Sequence, residues 1–405
     1  MDRAAERGGM SRAQTALLAA FGAIAPIAID MYLPGIPAMA RDLAVSPNNA
    51  GTSVSVFFVG MAVGQLFAGP MSDRIGRRPM MIGGLALFTL GGIGAAASGS
   101  FALLLGARLV QALGACSVTT CSRAAVRDRL DPREAARLFS LLALVGGLIP
   151  LAAPTLGSIV LQLAGWRAMF AAMAAAGALM LVAMLRTLPE SRSHATLAQS
   201  RGENPLRAYA SLLRRPTLLW TLLAASLNSG GMFSYLANSP AVLMEGFGMT
   251  PFAYTAAISV NSLGLVLFSQ MNRQWLHRHQ PEDVLARVSL VMAALGLAFM
   301  AYASLFAGSE PMLLVLLFAL LCCAALVQVN GMACALAVDP TRSGSTAALF
   351  GATTFATGAL LSWIAGRCYT RDGAGLALVV GLAVLGCACA LRMMLRARRL
   401  DQAAA

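Results

Sequence analysis

Apolar runs of roughly 18 to 25 residues follow one another along almost the whole chain, cut only by short charged stretches, and each is long enough to cross a bilayer as a helix. Reading between the charged punctuation predicts spans near 15–37, 49–70, 79–98, 102–125, 137–162, 165–187, 217–242, 250–272, 284–306, 311–335, 345–368 and 374–395. The expected fold is therefore all-α, with twelve transmembrane helices. The polar interval from Leu188 to Pro216, with Glu190 and Glu203, is by far the longest and reads as a linker. It divides the chain into a six-helix bundle over 1–187, a cytoplasmic linker over 188–216 and a second six-helix bundle over 217–405. Weak self-similarity supports the division, since the stretch Gly64 to Pro79 resembles Gly264 to Pro281 at an offset of about 200 residues. Internal repeats of this kind build secondary transporters, whose substrate site lies near midplane where the halves meet.

Composition agrees. Of 405 residues, 58% are hydrophobic and only 12% charged, more apolar surface than a soluble core requires. The net charge of +13 is explained by topology and not by nucleic acid, because arginines gather on alternate loops as the positive-inside rule requires. Arg3, Arg7 and Arg12 precede the first span, Arg74, Arg77 and Arg78 follow the second, and Arg127, Arg129, Arg133 and Arg137 follow the fourth. Arg192, Arg201, Arg207, Arg214 and Arg215 follow the sixth, Arg273 and Arg278 the eighth, Arg342 the tenth, and Arg396, Arg398 and Arg399 the last. Both termini are expected in the cytoplasm of a bacterial cell, with the chain in the inner membrane. Ala38-Met39-Ala40 could imitate a signal-peptide cleavage site, but Asp30 and Pro34 interrupt the approach to it. Trp166, Trp220, Trp275 and Trp363 fall near the expected interfaces, where amphipathic rings are favoured.

Missing residues exclude chemistry. All 30 basic residues are arginine, so neither a Walker A lysine nor a Schiff-base lysine exists. His194, His277 and His279 all lie in expected loops, and the eight cysteines, among them Cys116, Cys121, Cys322, Cys323, Cys334, Cys387 and Cys389, mostly sit inside spans without zinc spacing or a disulfide framework. No cofactor, metal or enzymatic activity is expected. The partners implied are a small molecule, protons and lipid, and the chain is expected to be a monomer.

Two charges stand deep in the apolar segments, Asp30 and Arg108. A charge in hydrocarbon is costly enough to be functional by default. Polar side chains within spans are expected to face a cavity, which nominates Asn228, Asn238, Asn261, Gln328 and Asn330, with Tyr32, Phe57, Phe233, Tyr235 and Phe355 as aromatic additions suited to varied ligands.

GPMSDRIGRRP (Gly69 to Pro79) resembles the loop signature between the second and third helices of the major facilitator superfamily. DMYLP (Asp30 to Pro34), RLVQALGA (Arg108 to Ala115), SRAAVRD (Ser122 to Asp128), IPLAAPTLGS (Ile149 to Ser158) and GWRAMF (Gly165 to Phe170) are similar to the Bcr/CflA drug-resistance branch of the twelve-span drug:proton antiporters. In the second half the likeness is carried by NSLGLVLFSQMN (Asn261 to Asn272) and GSTAALFGATTFATGA (Gly344 to Ala359), with Thr354 where the family commonly has glutamine.

The resemblance implies two pseudo-symmetric bundles and proton-coupled efflux of amphipathic drugs. A metabolite transporter of the same fold, or a membrane scaffold, are the alternatives. It gives Asp30, Arg108 and Gln111 the proton-coupling role. Counting inward about seven residues from Pro37 and from Phe101 puts Asp30 and Arg108 at one depth, roughly 10 Å below the periplasmic surface, so each is expected to partner the other. Burial opposes ionisation of the carboxylate and the arginine favours it. The resemblance further makes Gly69, Asp73, Arg74, Gly76, Arg77 and Arg78 a latch between the halves. Locally, Asp73 is expected to satisfy free N–H groups at the start of the third helix and Gly76 to allow the turn, while the arginines reach helix C-termini, carboxylates or lipid. Pro150, Pro154 and Gly157 resemble the antiporter motif that prevents leak.

Overall fold

The computed structural model describes residues 11–129, 132–191 and 205–404. Arg3, Arg7, Arg192, Arg201, His194 and Glu203 lie outside the described residues, as do the side chains of Arg12, Arg127, Arg129, Arg133 and Arg137. Among the described residues the structure is helical. The first half holds α1 (Arg12–Asp30), α2 (Thr52–Ile75), α3 (Arg77–Ala96), α4 (Phe101–Arg129) and one long element, Pro132–Thr187, that bends at Gly165 (φ 78°) into α5 (132–164) and α6 (166–187). The second half holds α7 (Pro216–Ser239), α8 (Pro251–Trp275), α9 (Pro281–Ala301), α10 (Glu310–Val338), α11 (Ser343–Arg367) and α12 (Ala374–Ala404). Twelve spans thus form two six-helix bundles, the all-α membrane fold read from the sequence.

Local signals set the helix starts. Pro216, Pro251 and Pro281 each stand in the first turn, where the missing N–H costs nothing, and Thr250 caps α8 by accepting from Ala253 N–H. At α1 the Ser11 hydroxyl accepts from the Gln14 backbone N–H and the Gln14 side-chain oxygen accepts from the Ser11 backbone N–H, a capping box.

The outside of the bundle is greasy and the inside is not. Leu163, Phe252, Leu305, Leu179 and Val315 are at least two-thirds exposed, as lipid-facing residues should be. Arg108, Gln111, Asn228 and Asn330 are fully buried. Ten segments of the described chain combine length and hydropathy enough to span a membrane. One of these carries both α5 and α6, and α7 is not among the ten. Instead α7 packs against α10, α11 and α12 and buries its Asn, Ser and Gly positions almost completely.

Two expectations need correction. The first span does not run unbroken over 15–37: α1 ends at Asp30, a 3-10 turn follows at Leu33–Gly35, and a short helix resumes at Ile36–Asp42. Pro34 and Pro37 each lack the N–H a continuous helix needs. The linker also contains a helix, Pro205–Leu212, whose Tyr209 and Leu212 pack on Leu218, Leu222 and Phe350.

Candidate functional site

Between the halves lies a cavity of about 850 Å³. It runs from Pro26, Ile29 and Asp30 on α1, past Phe233 on α7 and Phe355 on α11, to Asp73, Arg77, Arg123, Arg207 and Arg342. It therefore opens at the basic end of the bundle, where the turn 72–78 lies. The opposite end is shut by direct bonds between halves. Ser55 on α2 shares a 2.6 Å hydrogen bond with Ser362 on α11, and Ser158 on α5 shares one of 2.6 Å with Thr255 on α8. Asn238 reinforces the first by donating to the Ser362 carbonyl. Outside the spans at that end, burial pushes the Glu245 carboxyl up against the pull of Arg41 and Arg371.

Asp30 faces this cavity and is 7% exposed. Among the described residues no hydrogen bond or ion pair reaches its carboxylate, and Tyr254 of the second half lies within electrostatic reach. Arg108 is on the other side of α1. Its guanidinium lies 4.4 Å from the Tyr32 ring centre and 4.3 Å from that of Phe57, with Phe170 at 5.6 Å. One nitrogen donates to Gln111 Oε1 at 2.7 Å; among the described residues Nε and the second terminal nitrogen meet no acceptor in good hydrogen-bond geometry, the Tyr32 hydroxyl being within electrostatic reach. The direct Asp30–Arg108 partnership expected from depth alone is absent in this conformation. Residues two apart on a helical path point about 200° apart, so Tyr32 turned onto Arg108 leaves Asp30 turned away from it.

Ring faces thus do for Arg108 what a carboxylate was expected to do, and desolvated cation–π contacts of this kind contribute about 2 kcal/mol. Because a buried charge with unfilled donors is expensive, replacing it by a packed apolar side chain is often neutral or stabilising. Arg108→Met is accordingly expected to keep or raise the melting temperature in detergent; a fall of several degrees would show the guanidinium to be a net stabiliser.

The turn before α3 is a dense polar knot. Gly76 holds φ at +103°, and a Cβ there would sit 2.6 Å from Glu190 Oε2. The glycine admits the Glu190 carboxylate to the start of α3, where it accepts from the backbone N–H groups of Arg77 (3.1 Å) and Arg78 (3.0 Å). This is the capping function expected of Asp73. Asp73 instead pairs with Arg77 at 2.7 Å, across the turn at Gly76 that separates α2 from α3. Arg77 also meets Asp128 at 3.2 Å and Ser72 Oγ, and Arg78 donates to the carbonyls of Leu188 (2.8 Å) and Leu185 (3.2 Å) at the end of α6. Arg74 is exposed and Gly69 lines the cavity. Glu190→Ala should cost about 1 kcal/mol, the usual loss for a cap, read as a lower melting temperature; an unchanged value would show that water replaces the carboxylate.

On α5, Pro150 lines the cavity and Pro154 is buried. Gly157 presses on the broken segment of α1, where a Cβ would lie 1.8 Å from the Met31 carbonyl oxygen.

The polar residues nominated for the cavity mostly stitch helices together instead. Asn330 and Asn272 exchange amide hydrogen bonds (2.9 and 3.5 Å) between α10 and α8. Asn261 donates to Tyr235 Oη at 2.6 Å, Gln328 to Ser229 Oγ at 2.5 Å, Asn228 to the Ala324 carbonyl at 3.4 Å, and Asn238 to the Ser234 and Ser362 carbonyls. In lipid a polar side chain needs a partner, and a neighbouring helix supplies one as readily as a cavity does. Tyr32 and Phe57 are taken up by Arg108. Phe233 and Phe355 do line the cavity, stacked at 5.3 Å, and Phe58 of the first half stacks on Phe233 at 4.2 Å. Phe58 was not nominated. The only signal for it was its place next to Phe57 on α2, turned about 100° from it; it packs behind Phe233 and is not itself in the cavity wall. Gln65, Thr119, Thr120 and Ser262 also line the cavity and were likewise missed.

A bundle of twelve spans, open at one end to a cavity between two halves, defines a transporter. The chain belongs to the major facilitator superfamily, whose profile matches residues 18–363. It is 28% identical over 355 residues to an uncharacterized MFS-type transporter of Bacillus subtilis, YdgK, covering 86% of this chain and 87% of that one. It is 30% identical over 343 residues to the multidrug resistance protein MdtL of Shigella flexneri, covering 84% and 85%. Among solved structures, that of a D-xylose-proton symporter superposes with a TM-score of 0.74 at 16% identity, covering 94% of this chain and 96% of that one. A bacterial homolog of the human lysosomal transporter Spinster, in an inward-facing and occupied conformation, gives 0.71 at 12% identity, covering 95% and 96%.

Proposed function

We propose that this transporter exports small amphipathic drugs across the bacterial inner membrane in exchange for protons, as a member of the Bcr/CflA branch, with both termini and the open end of the cavity in the cytoplasm. The observation that carries it is Asp30, among the described residues the one carboxylate at the deep end of the cavity and reached by no hydrogen bond or ion pair there, and so open to protons or a bound molecule. The likeness to multidrug resistance proteins supports the substrate class. Arginines clustered at the open end support the orientation.

In this reading Asp30 takes a proton when the cavity faces the periplasm and gives it up inside as drug binds. Arg108, held by aromatic rings and Gln111, fixes the broken segment that carries Asp30. The turn 69–78 faces the first turns of α11 across the open cavity, and closing that gap makes it the latch of the outward-facing state. Pro150, Pro154 and Gly157 hold α5 against α1 and the second half so that ions do not pass between them. The test is drug susceptibility of a pump-deficient host expressing the chain, with and without a protonophore. Resistance that the protonophore abolishes is the expected result; no change in susceptibility to any drug, with the protein present in the membrane, would point to a metabolite instead.

A further inference from the structure

At the basic end of the second half two arginines turn outward from helices instead of lying in loops. Arg287 is exposed on α9, and the next positions on its face, Leu290 and Val291, are 61% and 53% exposed. Arg392 is exposed on α12 beside Met393, following Leu382 and Cys389 on the outward face. Positive-inside topology accounts for arginines in loops. It does not account for two that continue lipid-facing stripes, where a guanidinium needs a counter-charge or must reach for the surface.

The two helices bring these arginines to one level. α9 and α12 pack antiparallel, joined by Glu282–Arg398 at 2.5 Å near one end and, further in, at Gly296, where a Cβ would lie 2.6 Å from Leu385. From the first of these contacts, about five residues along α9 and about six along α12 lead to Arg287 and Arg392, each roughly 8 Å in. Nearby carboxylates are engaged elsewhere. Glu282 holds Arg398, and Asp283, one turn before Arg287, accepts the Gln280 N–H at 3.1 Å. Asp401 on α12 stands about nine residues beyond Arg392, roughly 13 Å on. Among the described residues neither arginine has a carboxylate within salt-bridge distance. Arg287 donates to His279 Nε2 at 3.3 Å, and a ring nitrogen that accepts leaves the charge in place.

We infer that a phospholipid with a net anionic headgroup binds here from the leaflet at the open end of the cavity, its phosphate clamped between Arg287 and Arg392 and its chains lying along the outward faces of α9 and α12. Guanidinium forks match phosphate oxygens two at a time. The apolar stripes that continue from both arginines suit acyl chains and not a soluble anion. Among the described residues none of α9 or α12 lines the cavity, so this site is separate from the one that holds the transported molecule.

The experiment titrates the purified full chain in detergent with phosphatidylglycerol or with phosphatidylethanolamine of the same acyl chains, and counts bound lipid by native mass spectrometry. Phosphatidylglycerol should half-saturate the protein at the lower concentration. Arg287→Gln and Arg392→Gln should each raise that concentration about fivefold, the worth of one basic residue near an anionic lipid surface. Arg186→Gln, which removes an exposed arginine at the same end of the first half, should leave it unchanged. Glycerol 3-phosphate, a soluble phosphate without acyl chains, should not displace the lipid even at hundredfold excess over it. Equal binding of the two lipids, an Arg186→Gln effect as large as the other two, or displacement by glycerol 3-phosphate would each overturn the inference. If one of the two site variants does not insert, the other decides the matter, and unaltered binding by it overturns the inference as well.

Discussion

Asp30→Asn, which keeps the side-chain volume and removes the titratable oxygen, is expected to collapse uphill transport to simple equilibration. A membrane potential supplies about 2.3 kcal/mol per charge per 100 mV, which one coupled proton converts to roughly fiftyfold accumulation. In everted vesicles the variant should lose that whole factor while still exchanging drug down its gradient, and purified protein should stop releasing protons when drug is added. The side chain has no hydrogen-bonding or ion-pair partner among the described residues, so the substitution breaks no such bond and insertion should be normal. Undiminished accumulation by Asp30→Asn would remove Asp30 from the coupling step and with it the central claim about energy use.

Gly157→Ala is expected to be nearly as damaging by a different route. The added methyl would stand 1.8 Å from the Met31 carbonyl oxygen and 2.8 Å from its carbon. These are backbone atoms and cannot swing aside as a side-chain tip would. Overpacking costs about 1–3 kcal/mol and sometimes more, and here the segment forced to move is the residue beside Asp30. A lower melting temperature together with at least tenfold slower proton-coupled transport should follow. If only the melting temperature falls, Gly157 serves packing alone; if neither changes, α1 and α5 are not in the close contact described.

Much of this was legible in the chain. Twelve spans could be read because hydrocarbon thickness imposes a length on apolar runs, and α7 could be read despite its asparagines and serines because charged punctuation bounded it on both sides. Asp30 and Arg108 stood out by rarity. Their mutual geometry did not, because depth along a helix is countable while rotation about its axis depends on where the helix breaks, and Pro34 placed that break just beyond Asp30. Asn261 and Asn330 illustrate a second limit: polarity in a span announces that a partner exists, not whether the partner is a ligand or the next helix. Glu190 illustrates a third. It caps a helix that starts 113 residues earlier, a contact that no local pattern foretells, whereas the glycine that admits it was recognisable from its own place in the turn.

The sheltered position of α7 bears on how the protein is made. A segment with Asn228, Ser229, Ser234 and Asn238 has little tendency to leave the translocon for lipid by itself, and the helices that enclose it, α10, α11 and α12, emerge later from the ribosome. Biogenesis must therefore hold α7 at the translocon until its companions arrive, and chains truncated after residue 246 should show the seventh segment failing to integrate while the first six are already in place.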